Sequence, residues 1–380
     1  MKALKDVNDA ELRKHKYIVF SQDHYNPLNL IRSLGEKGLK PISILYGQNQ
    51  WMIPHCKYVN KLHQVNNLEE GYQVLLEEYG NEGKMPFIFC SDDRTQSYLD
   101  THFKEIKDLF IFFNAGINGQ VTWLQDKGNI TRLAKEVGLI VPNEEVVEKG
   151  ELPQTLKYPI ITKALASTMG GWKKDVHICY DEKELESAYK KIEAPRLCLQ
   201  EFINKVGEYT VEIFSINDGK DIFMPYIIDY IRCSYDNYGF FMNVSPFRND
   251  TLRTKISDLL KKTKFNGICE IEFMKGVDGK DYFLEINFRA STWNYALTVG
   301  GANQPYYWAK STLMGRIPSE EMTLRDKPFK AIVEPSDFKR NIRKLGLFKW
   351  LMDLKSAECH YYYNKKDPWP FFFYLFKEKL

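Results

Sequence analysis

The sequence predicts a mixed α/β fold (α+β) with more than one domain, and two parts of the chain carry this prediction. Residues 17–20 and 41–46 are short apolar strands on either side of a helix that begins near residue 28, an order that is typical of a parallel sheet. Residues 267–273 and 282–289 alternate polar and apolar side chains around a turn-forming segment, which predicts an antiparallel hairpin. A chain of 380 residues is long enough for two or three packed domains.

An N-terminal parallel α/β domain is predicted over residues 1–115. A buried strand in its second half ends in polar residues, and such positions either line a ligand crevice or cap the next helix. The cap is the favoured interpretation for Asp92. Asp93 and Arg94 are candidates to face a substrate, with loop ion pairs as the favoured alternative, and His24 is interpreted as a polar loop residue rather than a base.

A small central domain is predicted over residues 116–195. One helix is expected over 118–141, and a later strand ends at Lys163. The loop 166–175 that follows is made of small residues and contains paired glycines. A lysine at a strand end, next to such a loop, favours the binding of phosphate groups.

A C-terminal antiparallel domain is predicted over residues 196–320, and residues 321–380 form an aromatic-rich extension. The alternation of polar and apolar residues predicts strands, and one amphipathic helix precedes the hairpin. The expected elements are strands at 196–203, 208–216 and 221–232 and a helix at 251–265.

Composition restricts the class of protein. The net charge of +3 is small for this length, so bulk electrostatics give no reason to expect nucleic acid as a partner. The 7 cysteines include no Cys-x-x-Cys pair, which favours reduced thiols over a zinc site or a disulfide framework. The charged first residues lack the apolar run of a signal peptide, and no apolar run is long enough to span a bilayer. We therefore expect a cytoplasmic protein.

The hairpin places chemically useful groups on one face. Side chains two apart in a strand point the same way, so Glu270 lies beside Glu272, and Glu285 beside Asn287 and Arg289. Hard oxygen ligands of this kind suit Mg²⁺ that also contacts nucleotide phosphates, and an arginine next to them suits a developing anion. The alternative is an amphipathic hairpin with a charged outer face.

Five motifs line up in chain order with this hairpin. They are Asp126-Lys127 at a helix start, the strand Tyr158-Pro159-Ile160-Ile161-Thr162-Lys163, the segment Gln200-Glu201-Phe202-Ile203, the pair Gly207-Glu208, and Leu284-Glu285-Ile286-Asn287-Phe288-Arg289. In this order and at this spacing the sequence resembles the ATP-grasp superfamily over about residues 15–320.

The resemblance implies an ATP-grasp fold with an N-terminal α/β domain, a small central lid and a C-terminal antiparallel domain, with ATP clamped between the last two. Most members use ATP to make an acyl phosphate from a carboxylate, which an amine or thiol then attacks. Carried over by position, the resemblance implies that Lys127 and Lys163 contact the phosphates and that a loop with Ser167, Thr168, Gly170 and Gly171 covers them. It implies adenine contacts from Glu201, Phe202 and Ile203 and a ribose contact from Glu208. It also implies that Glu272, Glu285 and Asn287 bind Mg²⁺ (alternatively Mn²⁺) and that Arg289 and Arg232 have catalytic roles.

The sequence departs from the family pattern at three places. Bulky Met169 and Trp172 stand in the loop where many members have more glycine, and Phe288 stands where many have proline. Glu270 is an additional acid, which we interpret as a structural partner of the ligands rather than as a ligand itself.

Arg232 has two interpretations. Family members often keep a basic residue near this position for phosphate or carboxylate, which slightly favours a functional role. The alternative is an ion pair with Asp229 or Asp236 on a solvated sheet face.

Within the superfamily, the short single-chain layout most resembles the carboxylate–amine ligase branch with its D-aspartate ligase-like and pyrrolysine-pathway ligases. That branch implies small carboxylate and amine substrates, with an amino acid joined by an amide bond. Two alternatives stay open: an ATP-binding regulatory or scaffold protein without ligase activity, and an ATP-grasp phosphotransferase. A homodimer is also left open.

The last residues, 367–380, combine clustered aromatic rings with lysines. Such a tail predicts either packing on its own body or a sister subunit, which is favoured, or a weak contact with a membrane surface.

Overall fold

The computed structural model describes residues 7–165, 172–232 and 239–377. Its strands are β1 (Tyr17–Ser21), β2 (Pro41–Tyr46), β3 (Lys61–Val65), β4 (Phe87–Phe89), β5 (Glu144–Glu148), β6 (Ile160–Ala164), β7 (Ile178–Cys179), β8 (Arg196–Glu201), β9 (Lys205–Ile216), β10 (Asp221–Phe223), β11 (Tyr226–Tyr230), β12 (Phe241–Pro246), β13 (Gly267–Gly276), β14 (Asp281–Asn287), β15 (Phe329–Ile332) and β16 (Ala357–His360).

The helices alternate with these strands in the first third of the chain and flank the antiparallel strands later. They are α1 (Asp9–Leu12), α2 (Tyr25–Glu36), α3 (Leu68–Tyr79), α4 (Asp93–Thr101), α5 (Phe103–Ile106), α6 (Gln120–Leu124), α7 (Lys127–Glu136), α8 (Glu182–Tyr189), α9 (Asp250–Thr263), α10 (Asn294–Val299), α11 (Gln304–Met314), α12 (Glu334–Leu345), α13 (Leu347–Ser356) and α14 (Trp369–Lys377). The mixed α/β class predicted from the sequence is therefore confirmed.

The chain divides into two compact units. The larger unit contains the residues up to 122, 209–271 and those from 287 onward, and the smaller unit contains 123–208 and 272–286. The hairpin of β13 and β14 runs through both divisions, so its tip belongs to the smaller unit and its base to the larger one. The domain boundaries expected from the sequence stay predictions.

The larger unit begins with a parallel sheet in the order β3-β2-β1-β4. Every residue of β1 and β2 is buried, because helices cover both faces of such a sheet. Apolar side chains of this sheet, including Phe20 and Ile44, form one core with α3 and α4. The predicted strand–helix–strand unit is confirmed, although α2 begins three residues earlier than expected, after His24 as its N-cap.

The second sheet of the larger unit is antiparallel along β9-β11-β12-β15, and β16 adds a parallel edge strand. The sheet carries two buried carboxylates, Glu212 in β9 and Glu270 in β13. A buried carboxylate lowers the stability of the fold unless it has hydrogen-bond or ion-pair partners, so we expect polar partners around both side chains.

The smaller unit contains a sheet in the order β5-β8-β6-β7, packed on α8 through a small apolar core. The backbone of β14 joins this unit at Phe283, whose N–H donates to the Ile140 carbonyl at 2.7 Å. The single helix expected over 118–141 is wrong: α6 and α7 are separate, because Asp126 ends one and caps the next by accepting the Asn129 N–H.

The C-terminal extension packs on the rest of the larger unit. The Arg32 guanidinium, fully buried in α2, donates to Asp367 at 3.0 Å and to the backbone of Tyr362. Helix α14 continues this contact, with the Phe373 ring stacked on His55. These contacts match the favoured interpretation, in which the tail packs on its own body.

Candidate functional site

Two lysines lie close together in the smaller unit. Lys127 starts α7 directly after its cap, and Lys163 is the fourth residue of β6. The Lys127 ammonium is 3.4 Å from a carboxylate oxygen of Glu285, and that charge, with a further contribution from Glu272, raises the pKa of Lys127. Burial, together with the positive charge of Lys127, lowers the pKa of Lys163 to about 8. Carboxylates thus accompany Lys127, whereas Lys163 is a buried cation beside a second ammonium, a position that a bound phosphate group would stabilise.

Lys163 is held by a relay that the sequence did not reveal. Its Nζ donates to Oε1 of Gln200 at 2.6 Å, and Nε2 of Gln200 donates to Glu144 at 3.1 Å. The three residues lie on β6, β8 and β5, which are neighbours in the sheet. The only sequence signal was Gln200 at the start of the Gln-Glu-Phe-Ile segment; Glu144 gave none, because its role depends on strand pairing.

An apolar cluster follows the end of β8. Ile203 packs with Met274, Tyr282 and Leu284 of the hairpin tip, all within the smaller unit. Among the described residues, the Ile203 backbone N–H has no hydrogen-bond acceptor. Apolar walls around a free backbone donor fit a planar heteroaromatic base. The sequence-based prediction did not include Met274 in this cluster, although it lies two residues after Glu272 and therefore on the same face of the strand.

The two residues before Ile203 are held by backbone contacts. The Glu201 N–H donates to the Asn143 carbonyl at 2.8 Å, and its carboxylate accepts from the Asn143 side chain at 2.9 Å. The Phe202 N–H donates to the Pro159 carbonyl. The adenine contacts of Glu201 and Phe202 stay predictions.

Glu208, the predicted ribose ligand, lies in β9 and is partly buried. Its carboxylate accepts from the Lys205 ammonium at 2.8 Å. A carboxylate that is fixed by one lysine keeps lone pairs for hydroxyl donors, so the assignment to ribose stays a prediction.

The base of the hairpin, in the larger unit, carries Arg289. Its Nη1 donates to Oε1 of Glu270 at 2.9 Å, and the same oxygen accepts from the Asn287 amide at 3.2 Å. Nε of Arg289 is 3.5 Å from Asp93. Glu270 is buried rather than solvated, so the single wet face expected for the hairpin is wrong at this position; its interpretation as a structural partner fits these contacts.

A second buried carboxylate lies near Glu270. Burial, and then the charge of Glu270, raise the pKa of Glu212 well above its usual range. The Ser291 hydroxyl donates to Glu212 at 2.7 Å. Glu212 is therefore biased toward its neutral form, which leaves the charge of Glu270 to Arg289. No pattern in the sequence pointed to Glu212 or Ser291.

His24 and Asp92 act as helix caps. Nδ1 of His24 accepts from the Asn26 N–H at 3.2 Å, and Asp92 accepts from the Thr95 N–H at 2.8 Å. The His24 ring keeps an exposed edge, but the packing around it and the charge of Arg289 lower its pKa to about 4. His24 is thus a neutral ring at neutral pH and the N-cap of α2, and its interpretation as a residue that does not act as a base stays a prediction.

Arg232 forms two ion pairs with the C-terminal extension. Its Nη1 is 2.5 Å from Asp337, and Nη2 contacts Asp353. Both partners are buried, and neither is an acid that the sequence analysis considered. The functional role of Arg232 stays a prediction.

The described ranges contain the predicted metal ligands but not the predicted loop residues, which are Ser167, Thr168, Gly170 and Gly171. Within the described part, no cluster of three His, Cys, Asp or Glu side chains is placed for a metal ion. Glu272 and Glu285 are partly buried and act on the same ammonium of Lys127, a donor pair that suits a hard divalent cation. Asn287, the third predicted ligand, is the last residue of β14 and belongs to the larger unit.

No family model matches the sequence. The curated relatives with similar sequence are carbamoyl phosphate synthase large chains. The chain is 26% identical to that of Clostridium beijerinckii over 187 residues, which are 45% of this chain and 17% of the relative. It is 25% identical to that of Clostridium perfringens over 186 residues. The match spans less than a fifth of these relatives' length.

Solved structures match over most of the chain. L-amino acid ligase from Bacillus licheniformis matches with a TM-score of 0.62 and 14% identity, covering 85% of this chain and 80% of the ligase. The ADP complex of N5-carboxyaminoimidazole synthetase from Staphylococcus aureus matches with 0.65 and 16%, covering 85% and 84%. Biotin carboxylase from Campylobacter jejuni matches with 0.64 and 18%, covering 84% and 75%.

These similarities agree with the architecture described above. In the described part of the chain, no helix is both long enough and apolar enough to cross a membrane. The parallel N-terminal sheet, the small unit with its lysine pair and the acidic hairpin are the elements that the resemblance implied, and the chain shares its fold with these solved structures, among them L-amino acid ligase and biotin carboxylase.

Proposed function

We propose that the chain is an ATP-dependent ligase. It activates a small carboxylate as an acyl phosphate and joins it to an amine, releasing ADP and phosphate. The observation that carries this proposal is the lysine cluster of the smaller unit, where burial next to Lys127 lowers the pKa of Lys163 to about 8. Such a cluster is stabilised by a bound polyanion, and two acids of the hairpin tip stand beside it.

The nucleotide contacts are assigned as follows. Lys127 and Lys163 bind ATP phosphates, with the loop residues Ser167, Thr168, Gly170 and Gly171. Ile203 donates its backbone N–H to the adenine ring, which lies against the apolar side chains of Met274 and Leu284. Glu201 and Phe202 complete the adenine contacts, and Glu208 binds the ribose hydroxyls.

Glu272, Glu285 and Asn287 are the residues that would hold Mg²⁺, or Mn²⁺ in its place. The ion, when bound, offsets negative charge on the phosphates of the nucleotide. The Lys127 ammonium already pairs with Glu285 and therefore keeps this carboxylate oriented.

The proposed chemical steps give each of the other charged residues a role. A carboxylate oxygen of the substrate attacks the γ-phosphorus in line, and the bond to the β-phosphate oxygen breaks to release ADP. The lysines stabilise the charge on the transferred phosphoryl group. The amine then attacks the acyl carbon, phosphate leaves, and the amine loses a proton. Arg289, oriented by Glu270, stabilises the oxyanion that forms on the acyl group.

The substrate class rests on a coarser argument. The neighbours include an L-amino acid ligase, and on that likeness we propose an amino acid joined by an amide bond as the product.

One screen tests the proposal. Purified protein with Mg²⁺ and ATP is incubated with amino acids, with and without amine acceptors, and ADP release and product mass are measured. We expect ADP release that requires both substrates and a product of amide mass. A phosphate ester would instead indicate a phosphotransferase, and ATP binding without turnover over the whole panel would indicate a regulatory protein; either result overturns the ligase assignment.

A further inference from the structure

Helices α12 and α13 form a hairpin near the end of the larger unit, joined by Gly346. Its three acids all point inward. Asp337 and Asp353 pair with Arg232, and Glu334 accepts the backbone N–H groups of Tyr361 and Tyr362. The Trp350 indole also donates to Asp337, at 3.0 Å, which ties the two helices together. The negative charge of the hairpin is therefore used inside the fold.

The positive charge of the hairpin points outward. No acid occurs between residues 338 and 352, and the basic side chains in that segment are exposed. Lys349 contacts Asp353, and the Arg340 guanidinium lies 5.0 Å from the centre of the Phe240 ring. The remaining basic residues make no ion pair with any carboxylate in the described ranges; they are Lys339, Arg343 and Lys344.

Helix α13 turns an apolar face to solvent. Phe348 is 79% exposed and Leu347 is 58% exposed. Leu351 and Met352, one turn later, are about half exposed, so all four lie on one side of the helix. The opposite side, with Trp350 and Asp353, is buried. An exposed row of large apolar side chains is unusual for a helix that already has a buried face.

We propose that this hairpin docks on the surface of an anionic phospholipid bilayer. An exposed apolar row and unpaired basic side chains on one helical hairpin are the composition of helices that lie in the interface, where the apolar groups enter the headgroup region and the bases meet lipid phosphates. Nucleic acid fits less well, because Leu347, Leu351 and Met352 offer nothing to a phosphate backbone. A second copy of the chain would bring the same positive charge against itself.

This surface is distinct from the aromatic tail. Helix α14 packs on the larger unit through Phe373 and His55 and through Tyr374 and Tyr362. The α12–α13 hairpin carries more exposed bases and, through Arg232, is held rigidly by two buried carboxylates. The proposal is independent of the ligase assignment, since none of the residues placed in nucleotide binding lies on this surface.

Flotation with vesicles tests it. The full-length protein is mixed with vesicles of phosphatidylcholine alone or with phosphatidylserine added, and the bound fraction is measured at low and high salt. We expect binding to the anionic vesicles that salt reverses. Each basic residue near such a surface contributes about fivefold to the partition coefficient. The triple variant Lys339→Glu, Arg343→Glu, Lys344→Glu should therefore lower it roughly 100-fold or more.

Matched variants separate this surface from general charge. Lys40→Glu, Lys104→Glu and Lys107→Glu change the net charge equally at exposed lysines elsewhere in the larger unit and should reduce binding far less. Phe348→Ser with Leu351→Ser should weaken binding, whereas Ile117→Ser with Leu324→Ser, two exposed apolar residues elsewhere, should not. Thermal unfolding confirms that each variant is folded.

Three results would overturn the proposal. The wild-type protein could fail to float with anionic vesicles, or the triple variant could float as well as its charge-matched control. Alternatively, sedimentation could show a dimer that Phe348→Ser with Leu351→Ser converts to monomer while vesicle binding is unchanged. That last result would assign the apolar face to a second copy of the chain.

Discussion

The lysine pair of the smaller unit and Arg289 of the larger unit differ in how their positive charge is balanced. In the smaller unit, Lys163 lies next to another ammonium and has a neutral amide as its hydrogen-bond partner. In the larger unit, Arg289 is already matched by the carboxylates of Glu270 and Asp93. Burial thus disfavours the charged form of Lys163 until an anion binds, whereas the arginine is oriented before any substrate arrives. The difference suggests that the lysines supply binding energy and that Arg289 supplies preorganised charge for the chemical step.

Removal of the preorganised cation should have the largest effect. Arg289→Ala should lower the turnover number about 100-fold or more while the affinity for ATP changes little, because one oriented cation at the transition state is typically worth that much. The measurement is steady-state ADP release together with calorimetric ATP binding. Arg325→Ala, which removes a partly exposed ion pair with Glu358, serves as the control. Normal turnover in Arg289→Ala would exclude this residue from the chemistry.

The lysine cluster should show the reverse pattern. Lys163→Met removes a charge that we propose contacts phosphate, so we expect ATP-analogue binding to weaken about 10- to 100-fold, as for other hydrogen bonds to charged groups. Lys183→Met, at an exposed position of α8 in the same unit, should bind normally. If both variants bind the analogue equally well, the nucleotide does not contact Lys163.

The buried acids beneath Arg289 offer a matched pair. Glu270→Gln leaves Arg289 without its charged partner and should lower turnover about tenfold with little change in the KM for ATP. Glu212→Gln should keep turnover, because Glu212 is already biased toward its neutral form. Equal losses in the two variants would show that both residues serve only the fold.

Glu212 also predicts the pH dependence of stability. Its folded pKa lies above the unfolded value of 4.5, so it contributes stability at low pH that is lost as the pH rises toward the folded pKa. Relative to wild type, Glu212→Gln should therefore gain stability between pH 4.5 and neutrality, as measured by denaturant unfolding at several pH values. A pH-independent difference would contradict the raised pKa.

The sequence predicted the parts of the site that depend on local order. Lys127 follows its cap, Lys163 lies near the end of its strand, and Glu285 and Asn287 lie two residues apart on β14, as a pattern of period two requires. It did not predict the contacts that depend on which strands become neighbours. Glu144 reaches Gln200 only because β5 pairs with β8, and Asp337 reaches Arg232 from more than 100 residues away.

The burial of Glu270 was missed for the same physical reason. An alternating pattern assigns a face but not its solvent exposure, and here the face that holds Glu270 is covered within the larger unit. Similarly, the acid partners of Arg289 could not be ranked from sequence, since Asp93 lies at the end of a different sheet.

The smallest predicted effect, proton uptake by Lys163 on nucleotide binding, is also the most direct measure of how the lysine pair differs from Arg289. Because the pKa of Lys163 is about 8 without nucleotide, about half of these side chains are neutral at pH 8, and binding of a phosphate should restore the full charge. ATP-analogue binding at pH 8 should therefore take up about half a proton, which calorimetry in buffers of different ionisation enthalpy measures. The uptake should fall toward zero at pH 6, where Lys163 is already charged, and should be absent in Lys163→Met. Arg289 cannot contribute, since a guanidinium stays protonated at every pH in this range. An uptake that persists in Lys163→Met would place the titrating group elsewhere and remove the main support for an unsatisfied lysine cluster.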